Sequence, residues 1–404
     1  MKYKRIFLIV ADSMGIGSDS ESHRFYNGDV ADTGCNTLLH ISEKVNGGIG
    51  LNVPTMNMMG LNDLGDFKGT TKVEHKNSIV AKLFEQSNGK DTMTGHWEMM
   101  GVYTTTPFMT FTETGFPQEL MGLLEEKTGR KCIGNYAASG TEILKTLGEE
   151  AKRDGSLIVY TSADSVLQIA AHEDVVSVEE LYRCCEIARE ICMKPEWMVG
   201  RVIARPFIGN NKDDFKRDGP KRHDLSVKPS VPTAMNILKD NGLMVDCVGK
   251  ISDIFDGYGV TKAIKTSSNE DGMDKTINEC KTNDFTGLCF VNLVEFDSEY
   301  GHRRNVDGYG KCIEDFDKRL AELIEVMKED DLLIVTADHG NDPAWYGTDH
   351  TREKVPFITY SKSITNGRLI EERKSFGDIG ATILCNFGFE RPDNLIGEPI
   401  LELF

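Results

Sequence analysis

Residues 332–350 read LLIVTADHGNDPAWYGTDH. The run 332–335 is apolar and rich in β-branched residues, too short for an ordinary helix, and the chain turns polar at Asp338, so it reads as a buried strand followed by an acid. Three other runs have the same form: IFLIVAD closing at Asp12, LIVYTSAD at Asp164 and LCFVNLVEFD at Asp297. Helical patterns lie between them. Residues 311–327 carry Ile313, Phe316, Leu320, Leu323, Ile324 and Met327 at spacings of mostly three or four, and similar patterns run through 116–126 and 178–191. Alternating strands and helices predict an α/β chain with a parallel-rich sheet sandwiched by helices, in which ligands bind outside the carboxyl ends of the strands. A single aspartate after a strand is usually a turn or cap residue. Asp12, Asp297 and Asp338, each with a histidine or tight-turn glycine nearby, point instead to one shared crevice.

The opening stretch also carries chemistry. His339 follows Asp338 at a strand end, and His350 comes eleven residues later across a turn containing Gly340, Asn341, Pro343 and Gly347. A loop of that length can return His350 to the crevice, and Asp297 and His302, five apart, offer a second acid and imidazole. Asp12, Asp297, His302, Asp338, His339 and His350 thus make six oxygen or nitrogen donors with no cysteine among them. That mixture suits Mn²⁺ or Zn²⁺, and the carboxylate share tilts it toward Mn²⁺ or Mg²⁺. Six donors are too many for one catalytic ion with an open position, whereas two ions about 3.5–4 Å apart would use them all. Asp349 reads as a turn residue or a neighbour of the ligands rather than a ligand itself.

At 404 residues the chain is long enough for about two or three domains. A hydrophobic fraction of 39% and a charged fraction of 27% fit a globular protein without disordered tracts or membrane spans. The N-terminal apolar stretch is short and ends at Asp12, so it reads as a strand rather than a secretion signal, and a cytoplasmic location is expected. Ten scattered cysteines with no C-x-x-C pair read as reduced core residues. A net charge of −18 disfavours nucleic acid and acidic membranes as partners. Residues 201–228 depart from this, with eight basic residues against four acidic ones, net +4. A small anion would find company there, and a domain boundary is expected near 220–230. The sequence carries no signal for oligomeric state.

A displacement site needs a nucleophile, and residues 89–101, GKDTMTGHWEMMG, offer Thr92 and Thr94 as hydroxyls that a metal could activate. Lys90 and His96 in the same block read equally as surface or packing residues. Together with YTSADSVLQIAAHE, RVIARPFIG, FDSEYGHRR and TADHGND…GTDHTRE, this block resembles the phosphopentomutases of the alkaline phosphatase superfamily, over nearly the whole chain.

The resemblance implies an alkaline-phosphatase-like core formed by residues 1–106 and 228–404, with an inserted α/β cap at 107–227. It implies a dinuclear Mn²⁺ centre on the same six residues, with Asp12, Asp338 and His339 on one ion and Asp297, His302 and His350 on the other. Thr92 would be the phosphorylated nucleophile. Asp164, Arg201, Arg217 and Lys250 would contact the sugar phosphate. Three ligand carboxylates and two divalent cations leave a charge of +1, which a phosphothreonine makes negative, so incoming phosphate must be held by the basic cap segment. The reaction implied interconverts ribose 1-phosphate and ribose 5-phosphate, and the deoxyribose pair, through a pentose 1,5-bisphosphate, with a sugar bisphosphate as priming activator. A metal-dependent phosphatase or phosphodiesterase on the same core would share the ligands. A cofactor-independent phosphoglycerate mutase would have a serine nucleophile and a longer chain. A non-catalytic metal or phosphate-binding protein would lack turnover. Gly15 and Gly17 near Asp12 suggest a dinucleotide loop, but its third glycine is missing.

Overall fold

The computed structural model describes residues 1–162 and 164–404. Two compact units are present, one made of Met1–Thr105 with Pro229–Phe404 and the other of Thr106–Lys228.

The larger unit is built on an eight-stranded sheet in the order Lys262–Ile264, Met244–Val248, Gly287–Leu293, Arg5–Ala11, Asp331–Thr336, Val355–Tyr360, Ile79–Leu83, Arg368–Leu369. The first five strands are mutually parallel, and Val355–Tyr360 is antiparallel to both its neighbours. The sheet is therefore mixed but parallel-rich. Arg5–Ala11, Gly287–Leu293 and Asp331–Thr336 are buried at every residue, as continuous apolar strands must be when both faces are covered. Three of the four runs with a trailing acid are these adjacent central strands, so Asp12, Asp297 and Asp338 follow neighbouring carboxyl ends. A buried bidentate pair, Arg5 Nε and Nη2 to Asp331 at 2.7 and 2.6 Å, ties the opposite ends of two of them.

Helices Thr37–Gly48 and Asn269–Thr282 each pack on Val306–Val326, and Thr92–Met99 and Ala234–Asp240 each pack on Gly377–Asn386. The helix expected at 311–327 begins one turn earlier, at Val306, because the Asn305 side chain caps it by accepting from Gly308 N. The helix expected at 116–126 runs Gln118–Thr128, since Pro117 occupies the N-cap and Gly129 in the left-handed region ends it. The pattern at 178–191 is a helix over those residues.

The smaller unit has its own sheet, ordered His223–Ser226, Arg201–Ile208, Val166–His172, Leu157–Thr161, Cys132–Ala137, with Lys216–Arg217 pairing beside Arg201–Ile208. The fourth acid-trailed run, Leu157–Thr161, lies here and not in the sheet that carries the other three. A local apolar pattern says that a segment is a strand, but which sheet it joins depends on non-local pairing. The smaller unit also has its own core, around Leu124, Leu157, Leu167, Leu181 and Val202. All ten cysteines are free, seven of them buried. Among the described residues no helix is long and apolar enough to cross a membrane.

Candidate active site

Thr92 opens the helix Thr92–Met99, with Asp91 as its N-cap. Asp91 Oδ1 accepts from Met93 N and Thr94 N, and Asp91 Oδ2 accepts from the Thr94 hydroxyl at 2.6 Å. Thr94 is thereby spent on capping and is fully buried. Thr92 Oγ1 instead lies 3.2 Å from His339 Nε2. The helix can approach the end of the strand Asp331–Thr336 because residue 95 is glycine, where a Cβ would collide with the Asp338 carbonyl.

Asp12, Asp338 and His339 form one set of donor atoms, all within 4.8 Å of one another. Asp12 Oδ2 accepts from Asn292 Nδ2 at 2.8 Å, and Asp338 Oδ1 accepts from Ser13 N at 3.0 Å. His339 donates Nδ1–H to the Gly340 carbonyl at 3.0 Å, which fixes the tautomer with the Nε2 lone pair facing the acids. That Nε2 lies 3.6 Å from Asp12 Oδ1 and 3.4 Å from Asp338 Oδ2. Donors about 2.1 Å from a common tetrahedral ion sit about 3.4 Å apart, so the spacing suits a shared cation. Asp12 Oδ1 and Asp338 Oδ2 are buried with no hydrogen-bond donor. Buried carboxylate oxygens without donors are costly unless a cation meets them, and the residues present therefore fit a divalent metal.

Asp297, His339 and His350 form a second such group. His350 returns to His339 because Gly340 and Thr351 exchange two backbone hydrogen bonds, Gly340 N to Thr351 O at 3.0 Å and the reverse at 2.8 Å, closing the loop between them. The two imidazole rings end 4.1 Å apart, and the His302 and His350 rings 4.8 Å. His302 donates Nδ1–H to the Thr348 carbonyl at 2.7 Å and presents Nε2 to Asp297 Oδ2 at 3.0 Å, while His350 Nε2 is 3.6 Å from the same oxygen.

The charge of the cluster is visible in its acids. Burial, then the neighbouring Asp338 and Asp297, raise the Asp12 carboxyl well above its ordinary range. Burial also acts to raise Asp297, but His302 and His350 outweigh it and hold that carboxyl well below the usual value. His339 and His96 likewise overcome burial at Asp338. Burial lowers His339, whereas at His350 Asp297 prevails over burial and raises it. Three carboxylates in a water-poor pocket, one of them forced toward protonation, make a site in need of positive charge.

Thr92 and the six candidate ligands are thus brought together in the larger unit. Lys250 follows the carboxyl end of the strand Met244–Val248 in that unit, half-exposed, with Nζ 3.6 Å from Asp253. Asp164, Arg201 and Arg217 are in the smaller unit. Arg201 Nη2 is 3.4 Å from Asp164 and Nη1 is 3.8 Å from Asp224, while Arg217 is exposed in a short strand opposite Phe207, at the far end of the strand that Arg201 begins. Asp349 is a turn residue, its Oδ1 accepting from His350 N and its Oδ2 lying 3.2 Å from Lys90 Nζ.

Sequence reasoning passed over several supporting residues. His96 is wholly buried, donating Nδ1–H to the Thr92 carbonyl at 2.9 Å and lying 3.1 Å from Asp338 Oδ2. Of the two readings open for it, surface or packing, burial shows the second. Lys90 bridges Asp32 and Asp349 at 3.2 Å each. Asn292 orients Asp12, and the one legible signal for it was an amide in the middle of the apolar run LCFVNLV.

The sequence profile of the metalloenzyme superfamily matches residues 4–391. A phosphopentomutase of Agathobacter rectalis is 55% identical over 401 residues, covering 99% of both chains. Phosphopentomutases of Clostridium beijerinckii and Clostridium perfringens are 54% and 53% identical over 400 residues, covering 99% of this chain and 98% of theirs.

Proposed function

From the premise that the chain belongs to the metalloenzyme superfamily and, within it, to the phosphopentomutases, we propose that it interconverts the 1- and 5-phosphates of ribose and 2-deoxyribose through a phosphothreonine at Thr92. The observation that carries the choice of nucleophile is the Thr92 hydroxyl, 3.2 Å from His339 Nε2 at the head of a helix and beside a buried cluster of acids and imidazoles.

Phosphorylated Thr92 gives its phosphoryl group to the free hydroxyl of a pentose monophosphate. The bond from phosphorus to Oγ1 breaks as the bond to the sugar oxygen forms, and the product is a pentose 1,5-bisphosphate. The other phosphate of that species then returns to Thr92, so the two ends of the sugar are presented in turn. A sugar bisphosphate primes the threonine initially. Metal dependence follows from the family and the donor groups. We infer two Mn²⁺ ions, one held by Asp12, Asp338 and His339 and the other by Asp297, His302 and His350. When bound, such ions neutralise the nonbridging phosphoryl oxygens and keep attacking and leaving oxygens in line. Asp91 and the His96–Thr92 bond hold the hydroxyl in place. We infer further that residues 107–227 act as a cap that excludes water, with Asp164, Arg201 and Arg217 binding the sugar phosphate together with Lys250, and that the enzyme works in the cytoplasm.

Thr92→Ala tests the reading. The variant is expected to bind Mn²⁺ as the parent does, to take no label from a ³²P-labelled sugar bisphosphate, and to isomerise ribose 1-phosphate at under about one thousandth of the parent rate. Isomerisation near the parent rate would overturn the nucleophile. Phosphate release in place of isomerisation by the parent enzyme would make it a phosphatase.

A further inference from the structure

The two halves of the proposed centre are held in different ways. Asp12 and Asp338 leave the ends of adjacent central strands and are backed by Asn292 and the Ser13 amide. Asp297, His302 and His350 stand instead on a turn and a loop that follow the strands, with Asp297 backed by the Asn341 amide and His302 by the Thr348 carbonyl. Asp297 and His302 belong to the turn Phe296–Gly301 and its C-cap, and His350 ends the loop that starts at Asn341.

Arg304 joins that turn to that loop. Its backbone sits at φ +54, in the left-handed region that a non-glycine residue seldom occupies. From there the guanidinium donates Nε–H to the Gly347 carbonyl at 2.5 Å and Nη1–H to Gly301 O, Asp342 O and Asn341 Oδ1 at 3.1, 3.1 and 2.6 Å. Nη2 reaches the Tyr346 and Asp349 carbonyls at 3.5 and 3.3 Å. Because Asn341 Oδ1 accepts from the guanidinium, its Nδ2 must face the other way, and it donates to Asp297 Oδ1 at 2.7 Å. That leaves Asp297 Oδ2 turned toward His302 Nε2 and His350 Nε2. The same loop supplies the Thr348 carbonyl that orients His302. One side chain therefore fixes the carboxylate, the acceptor behind one imidazole, and the path of the loop that ends in the other.

We propose that Arg304 is a positioning residue that, through Asn341, sets the metal affinity of the Asp297–His302–His350 half of the centre and leaves the Asp12–Asp338–His339 half untouched. The proposal rests on the two-ion reading above. Residues behind metal ligands change affinity by about 10- to 100-fold when removed, and the geometry directs that loss to one ion.

The test is Mn²⁺ titration of the metal-stripped full-length protein by calorimetry, with bound metal counted after gel filtration and electron paramagnetic resonance used to tell coupled from isolated Mn²⁺. The parent should bind two ions and show a coupled signal. Arg304→Ala should keep one ion at parent affinity, lose about 10- to 100-fold on the other, and show the signal of an isolated ion at limiting metal. Arg304→Lys keeps the charge without the planar fork and should fall between them. Asn341→Ala removes the link between Arg304 and Asp297, leaves the Arg304 bonds to backbone carbonyls in place, and should give the same one-sided loss, deciding the matter if Arg304→Ala does not fold. Two ions at parent affinity in both alanine variants, or equal weakening of both ions, would overturn the proposal. A parent protein that binds fewer than two ions would overturn the two-ion reading instead.

Discussion

Replacing Arg352 with methionine keeps an apolar stem in place and removes the guanidinium that holds the carbonyls of Glu85, Ser87 and Gly89, in the segment that leads to Thr92. Arg352 is 2% exposed at its side chain and its two acid partners, Asp19 and Glu85, are 1% exposed, with Nε 3.1 Å from Asp19 Oδ2 and Nη1 2.9 Å from Glu85 Oε2. It also donates to the carbonyls of Glu85, Ser87 at 2.7 Å and Gly89 at 2.5 Å, and it covers the Phe25 ring at 4.9 Å. Breaking a buried ion pair by deleting one partner costs about 3–5 kcal/mol, because the remaining charge is left without compensation. Here two acids are stranded. Burial already raises Glu85 well above its ordinary range, with Arg352 opposing it, so without the guanidinium Glu85 rises further. An acid whose folded-state value is raised contributes stability below its unfolded value and loses it as pH rises through the folded value. The variant should therefore be about 3–5 kcal/mol less stable than the parent at pH 8 and measurably less impaired at pH 6. Urea unfolding in a Trp197→Phe background reads this, because Trp97 and Trp345 then report on the larger unit alone. Adding Glu85→Gln should restore part of the loss, giving a coupling of about 1–3 kcal/mol. A loss below about 1 kcal/mol at pH 8, unchanged at pH 6, would refute the reasoning.

Asp12 gives a second pH signature. Its raised carboxyl makes the metal-free protein less stable as pH climbs through its folded value, and a bound divalent cation displaces the proton and removes that loss. Saturating Mn²⁺ at about 100 times Kd should add about 2.7 kcal/mol of stability, and the thermal shift should be larger at pH 8 than at pH 6. A shift of the same size at both pH values would count against Asp12 as a ligand. Glu98, fully buried, accepts from Gln86 N, Ser87 N, Ser375 Oγ and Phe376 N at 2.8, 2.5, 2.9 and 2.9 Å. Glu98→Ala leaves four donors without an acceptor and should cost about 3 kcal/mol or more, read as a lowered thermal midpoint with Glu98→Gln recovering part of it. Equal midpoints for parent and alanine variant would show that water or a backbone shift takes the acid's place.

How much was legible in advance differed by level. Strands ending at Asp12, Asp297 and Asp338 were readable because a buried parallel strand must be apolar on both faces, and the acid that ends it stands out. The helix Val178–Ile191 was readable because its apolar residues keep a helical period, and the structure adds that Ser177 caps it. The run ending at Asp164 looked the same and joins another sheet. Arg304 and Arg352 lie in the blocks FDSEYGHRR and GTDHTRE, but no role could be read for them, since their partners are mostly backbone carbonyls and any residue supplies one.

The amino-acid sequence by itself determined which segments become strands and helices, that the sheet is parallel-rich, and which acids and histidines stand at strand ends, because those properties follow from local periodicity and side-chain chemistry. Only the tertiary structure decided that Thr92 rather than Thr94 faces His339, that the loop from Gly340 to Thr351 closes on itself, and that one arginine spans two segments of the site. Those outcomes depend on which side-chain and backbone groups meet when separate segments come together, which local periodicity does not fix, and they are settled when the chain packs.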